Sequence, residues 1–246
     1  MRIGSLFSGI GGLELGLEWA GVGHTEWQVE RDEYCRRVLA KHWPNVKRFN
    51  DVREVGAHNL SPVDVICGGF PCQDISYAGK GLGLAGARSG LWYEFARIVG
   101  EMGPRYVVVE NVRALLTRGL DQVLGTLADL GYDAEWSIVS ACSVGAPHPR
   151  QRVFILAYAN GEQLGGIRSH GDGAGADCGR DGISTRRPVD AERAKWAEES
   201  NLDRVLNGVS SRLDRARNKS LGNAVVPQVA EIVGRRLLQI HRGLGV

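Results

Sequence analysis

The feature that most narrows how this chain can fold is a set of short apolar runs in which polar residues do not alternate. Tyr106-Val107-Val108-Val109 and Val153-Phe154-Ile155-Leu156-Ala157-Tyr158 are the clearest. A strand with one wet face alternates apolar and polar side chains, so an unbroken run fits a strand covered on both faces, as in a parallel sheet between helices. Strands are expected at residues 2–7, 25–30, 63–67, 106–109, 135–140 and 153–158. Between them, Leu13, Leu17 and Ala20, then Tyr34, Val38 and Leu39, then Leu91, Phe95 and Ile98, then Val123, Leu127 and Leu130 recur at helical spacing. This alternation predicts an α/β fold, a doubly wound and mostly parallel sheet. A length of 246 residues suits one such domain carrying a small insertion.

The pattern stops after Tyr158. From 160 to 195 there is no aromatic residue, glycine recurs at Gly161, Gly165, Gly166, Gly171, Gly173, Gly175, Gly179 and Gly182, and charge follows no period. Such a stretch buries little apolar area against its ordering entropy, so a surface excursion is expected. The division is a main domain at 1–159, a short irregular region at 160–205 and a C-terminal segment at 206–246. The last of these ends in a helix from 227 to about 238, with Pro227 at its start, that returns to the main domain.

Composition sets limits without naming a partner. Thirty basic residues against 28 acidic ones, a net charge of +2, neither demand nor exclude nucleic acid. Distribution says more: Arg204, Arg212, Arg215, Arg217 and Lys219 face only Asp214 in the same stretch, either a solvated helix face or a surface that neutralises phosphates. The five cysteines form no CxxC pair and the histidines no run at ligand spacing, so no metal site is expected and a reducing cytoplasm is. The start, MRIGSLFSGIGG, is too rich in glycine for a signal peptide, and no segment is expected to enter a membrane.

Two glycine signals compete. Gly81-Leu82-Gly83-Leu84-Ala85-Gly86 fits GxGxxG literally, but it follows no strand and opens no clear helix, and the mechanism of that motif needs both. Residues 77–90, with five glycines, Lys80, Arg88 and no acid, read instead as a loop that closes over a polyanion. The better cofactor signal is Phe7-Ser8-Gly9-Ile10-Gly11-Gly12, directly after the first strand and before the first helix. There the backbone can approach a ligand closely and Phe7 can offer an apolar face to an adenine. Glu30 and Asp51 stand at later strand ends, where acids reach ribose hydroxyls. Glu14 and Leu15 occupy the place of the third glycine of a dinucleotide fingerprint, which argues against a pyrophosphate and for S-adenosylmethionine, a nucleoside without phosphate.

Further along come Gly69-Phe70-Pro71-Cys72-Gln73-Asp74-Ile75-Ser76, Glu110-Asn111-Val112 at the end of an apolar strand, and Pro147-His148-Pro149-Arg150-Gln151-Arg152 before another. Leu221-Gly222-Asn223-Ala224-Val225 precedes the last helix. In order and kind these motifs resemble the DNA (cytosine-5)-methyltransferases of bacteria and phages, over nearly the whole chain. The resemblance implies a Rossmann-like methyltransferase with S-adenosylmethionine as cofactor and duplex DNA as partner, complete as a monomer. It implies Cys72 as nucleophile toward carbon 6 of a flipped-out cytosine. Glu110 becomes the acid at N3, and Arg150 and Arg152 hold Glu110, the cytosine O2 and adjacent backbone.

For the cofactor the resemblance implies Phe7, Gly9, Ile10, Gly11, Gly12, Glu30, Arg31, Asp51, Val52, Pro71, Leu91, Asn223, Ala224 and Val225. For DNA it implies Ser76, Lys80, Arg88, Arg204, Arg212 and Arg215, with the region at 160–205 reading the target sequence. Three positions depart from the family's habit. Ser5 stands where an acid is common, Arg31 where a bulky apolar residue is, and His148 where glutamine is. An RNA cytosine-5 methyltransferase would keep the same catalytic residues, whereas a non-catalytic DNA-binding relative should have lost some of them.

Overall fold

The computed structural model of the protein describes residues 1–71, 90–159 and 211–243, with side chains in the last stretch from Arg217 onward. Its centre is a seven-stranded sheet in the order β3-β2-β1-β4-β5-β7-β6. The strands are β1 (Arg2–Leu6), β2 (His24–Val29), β3 (Lys47–Phe49), β4 (Val65–Gly68), β5 (Tyr106–Val112), β6 (Tyr132–Val139) and β7 (Arg152–Ala159). The helices are α1 (Gly12–Trp19), α2 (Glu33–His42), α3 (Gly90–Met102), α4 (Leu115–Arg118), α5 (Leu120–Asp129), α6 (Ser211–Asn223) and α7 (Pro227–His241). None of the described helices is long and apolar enough to cross a membrane.

Alternate side chains of the central strands enter two separate cores. Ile66, Val107, Val109 and Ile155 join Trp27, Trp92 and Phe95 on one face. Val65, Cys67, Val108 and Leu156 join Leu13, Leu17, Val229 and Leu237 on the other. Cover on both faces is the physical reason that the runs at 106–109 and 153–158 lack alternation. The second core is closed by α7, whose Arg236 grips Glu135 of β6 through two bonds of 2.7 and 2.9 Å.

Two departures from the expected strands bear on function. The strand expected at 2–7 stops at Leu6, because Phe7 adopts φ 55° and turns the chain out of the sheet. The sheet also carries one reversed strand: β7 runs antiparallel to both β5 and β6. A doubly buried apolar run reads the same in either direction, so composition could not report that reversal. It sets Glu110 of β5 opposite Phe154 of β7, and Arg152 opposite Val112.

Candidate active site

The carboxyl ends of β1, β2, β4 and β5 open on a cleft of about 930 Å³, the edge at which open α/β sheets bind ligands. Phe7, Gly9, Glu30, Arg31, Asp51, Val52, Pro71, Leu91, Glu110, Arg152 and Asn223 all line it. The turn after β1 is held by its own backbone: Ser8 N donates to Val29 O at 3.2 Å and Gly11 N to Ser8 O at 2.9 Å. Glu30 ties this turn to the start of α2, accepting from Gly9 N at 2.8 Å and from Asp32 N at 2.7 Å. Each oxygen thereby keeps a lone pair for a further donor such as a sugar hydroxyl. Asp51 accepts from Arg53 N at 3.0 Å and opens the short turn that buries Val52.

Beneath the turn lies a smaller cavity of about 50 Å³, lined among others by Ser5, Ile10, Gly12, Glu14, Gly69, Glu110, Ala224 and Val225. The segment before α7 crosses close over the turn. A Cβ on Gly12 would sit 2.2 Å from Val225 O, so only glycine lets the two backbones meet. An apolar ring, acids at strand ends and a glycine turn open to the cleft suit a nucleoside-bearing cofactor. The small cavity under the turn has no Lys or Arg in its lining among the described residues, although Arg31, Arg53, Arg152 and Lys219 line the larger cleft.

At the other end of the cleft, Glu110 is buried with Arg152 Nε 3.0 Å from its Oε1. Burial pushes this carboxyl up to about 7, although Arg152 and, more weakly, Arg150 favour its ionised form. Gly69 lies against it, and a Cβ there would come within 2.7 Å of Glu110 Oε2. Asn111 Nδ2 donates to Phe70 O at 3.2 Å, fixing the chain that runs on to Pro71. Cys72 follows directly and, with Ser76, Lys80, Arg88 and Arg204, lies outside the described residues.

The two arginines divide their work. Arg152 faces Glu110, whereas Arg150, with φ 27°, donates to Gly222 O at 2.7 Å and Ala224 O at 2.6 Å, so it holds the Asn223–Val225 crossing in place. Arg212 and Arg215 fall on α6, in the part whose side chains are not described. Another seam crosses the cleft rim: Lys219 Nζ stands 3.4 Å from Asp32 Oδ2, and Cys35 Sγ lies 3.4 Å from Ser220 Oγ. Sequence reasoning assigned no site role to Asn111, Ser8 or Glu14. For Glu14 a signal did exist, since a glutamate stands where the close packing of a dinucleotide fingerprint would require glycine. Among the described residues no group of three or more His, Cys, Asp and Glu is placed to hold a metal.

Comparison with known proteins agrees in direction. The family model for C-5 cytosine-specific DNA methylase matches residues 1–200. The type II methyltransferase M2.BsuMI of Bacillus subtilis is 37% identical over 165 residues, 64% of this chain and 42% of that protein. The type II methyltransferase M.Eco47II of Escherichia coli is 40% identical over 165 residues, 63% of this chain and 39% of that protein. The chain thus spans about two fifths of the length of these relatives. Among solved structures, the Entamoeba histolytica methyltransferase EhMeth shares the fold at a TM-score of 0.67 and 14% identity, over 100% of this chain and 99% of that one.

Proposed function

This chain belongs to the C-5 cytosine-specific DNA methylase family, and from that premise we propose that it methylates carbon 5 of a cytosine turned out of duplex DNA, with Cys72 as the covalent nucleophile. The observation that carries this reading is Glu110: a buried carboxyl held near 7, with Arg152 on one side and the Gly69-Phe70-Pro71 segment that leads to Cys72 on the other. S-adenosylmethionine, held by Phe7, Glu30, Asp51 and the Gly9–Gly12 turn, supplies an electrophilic methyl group on a sulfonium.

Carbon 5 of cytosine is a poor nucleophile, so the ring needs activation. The Cys72 thiolate bonds to carbon 6 while the ring's electron pair shifts toward carbon 5, and Glu110 gives a proton or a strong hydrogen bond to N3 as charge gathers there. An acid near 7 serves this because its protonated form is well populated at neutral pH. Carbon 5 would take the methyl group as the methyl–sulfonium bond breaks and leaves its pair on a neutral thioether. Carbon 5 then loses its proton to a base or water, and the pair left behind re-forms the ring double bond as the sulfur–carbon 6 bond breaks. Cys72 leaves as thiolate, and N3 returns any proton it took to Glu110. Arg152 keeps the carboxyl oriented, and its charge limits how far burial can raise Glu110.

Labelled methyl transfer to duplex DNA, single-stranded RNA and tRNA, by the wild type and by Cys72→Ser, tests this. Label on duplex cytosine that disappears in the variant is the expected result. Label confined to RNA would move the substrate to RNA with the same catalytic residues, and label on neither polymer while cofactor still binds would indicate a regulator.

A further inference from the structure

One buried group near the cleft has no task in the reaction as described. Glu14, in the first turn of α1, is 0% exposed, and neither of its carboxyl oxygens has a hydrogen-bond partner among the described residues. Ser5 and Ser8 stand beside it but serve each other, Ser8 Oγ donating to Ser5 Oγ at 2.9 Å. Both serines and Glu14 line the small cavity of about 50 Å³ under the glycine turn. Its lining includes two carboxyls, Glu14 and Glu110, and no cation among the described residues. The nearest charge along the helix is another acid, Glu18, which acts against ionisation. A buried carboxyl left so is costly, and natural structures rarely keep one without a partner. A cavity of this size admits a water molecule or an ammonium group.

We propose that Glu14 receives the α-ammonium group of S-adenosylmethionine, and so selects for the amino-acid end of the cofactor. This rests on the cofactor reading above. Of the polar groups of that molecule, ribose hydroxyls have Glu30 and Asp51 available at the cleft, and the α-carboxylate would be repelled by a second carboxylate. The sulfonium is positive but has no hydrogen to donate, and its methyl must face the base. The ammonium alone combines positive charge with three N–H donors. It fits a small, cation-free cavity with a buried carboxyl in its wall, directly beside the turn that holds the nucleoside. Glu14 is therefore a binding residue for the cofactor's side chain and takes no part in chemistry at the cytosine ring.

Calorimetric titration without DNA tests this, with two ligands: S-adenosylhomocysteine, and its analogue carrying hydrogen in place of the α-amino group. Wild-type protein is expected to bind the first about 10- to 100-fold more tightly, the range for a hydrogen bond to a charged partner. Glu14→Gln should close most of that gap by weakening S-adenosylhomocysteine, while the desamino analogue stays within about threefold of its wild-type affinity. Equal affinity of the wild type for both ligands would overturn the proposal without any variant. So would a Glu14→Gln protein that keeps the full gap, or one that weakens both ligands alike, since Glu14 would then only shape the turn. A wild type that binds neither ligand would instead overturn the cofactor reading itself, and that is seen before any variant is made.

Discussion

Glu14 and Glu110 line the same small cavity and burial pushes both up to about 7, yet their surroundings are opposite. Glu110 sits at the end of β5 with a guanidinium 3.0 Å away and opens on the large cleft. Glu14 sits inside the first turn of α1, where the hydroxyls of Ser5 and Ser8 and its own backbone N–H favour its charge but no guanidinium does. A shared acidity thus has two different meanings. With Arg152 beside it, Glu110 is balanced between its two forms and can hand over a proton without leaving a bare buried charge. With no cation lining its cavity among the described residues, the ionised form of Glu14 is left uncompensated until something positive arrives, which is how a binding residue behaves.

The comparison breaks most visibly on the catalytic side. Glu110→Gln keeps the shape and removes the proton, so methyl transfer in a single turnover is expected to fall about 10²- to 10⁴-fold, the usual worth of a positioned acid. Cofactor affinity, read by calorimetry, should fall far less than the rate, because the proposed role of this carboxyl is at the base even though it shares the small cavity with Glu14. If affinity falls as far as the rate does, Glu110 is a prop of the cleft and the contrast with Glu14 is lost.

A smaller effect is expected from Arg152→Ala. Arg152 favours the charged form of Glu110, so its removal raises that acidity constant beyond about 7. On the proposed mechanism the rate needs protonated Glu110, and this requirement makes it fall as pH rises through the Glu110 value of about 7. In the variant the descending limb should move to higher pH, with the rate at the optimum down about 10-fold from lost orientation of the carboxyl. An alkaline limb that does not move would free Glu110 from the control of Arg152. Single-turnover rates between about pH 6 and 9 on duplex DNA would show it, a range that reaches further above the wild-type value of about 7 than below it.

How legible these two sites were in the sequence differs for a physical reason. Glu110 lies at the end of a run whose apolarity marks a buried strand, so an acid there is conspicuous, and Pro71 and Arg152 flank strands of the same kind. Glu14 lies between Leu13 and Leu15 in a helix pattern that tolerates glutamate on its wet side. Its surroundings come from Ser5 in the first strand, Ser8 just after it, and the Asn223–Val225 crossing that lines the same cavity, the last more than two hundred positions away, which no local period encodes. The turn at Phe7 was hidden likewise, because an aromatic residue after Leu6 reads as more strand until the glycines force the chain out. β6 was placed three residues late at its start, since an edge strand with exposed Trp136 gives a weaker apolar signal than the covered strands beside it. The reversal of β7 left no mark on composition at all.

The smallest effect sharpens the comparison from the stability side. Glu14 has an ordinary value of 4.5 when unfolded and about 7 when folded, so the folded state holds the proton more tightly. The sign follows: its contribution is fully present below about 4.5, is lost as pH rises, and is gone above about 7, a total on the order of 3 kcal/mol at most. Glu110 carries a dependence of the same sign, but it is present in both the wild type and Glu14→Gln and cancels in their difference. The melting temperature of Glu14→Gln relative to wild type should therefore climb by a few degrees between pH 5 and 8 and level off above about 7. Adding S-adenosylhomocysteine at pH 8 should turn the ordering the other way. Its ammonium gives the ionised Glu14 a partner that the glutamine variant cannot match, so the wild type gains more from the ligand. A difference that is flat from pH 5 to 8 would mean that water reaches Glu14 and keeps it charged, and the two glutamates would then differ in burial as well as in partner.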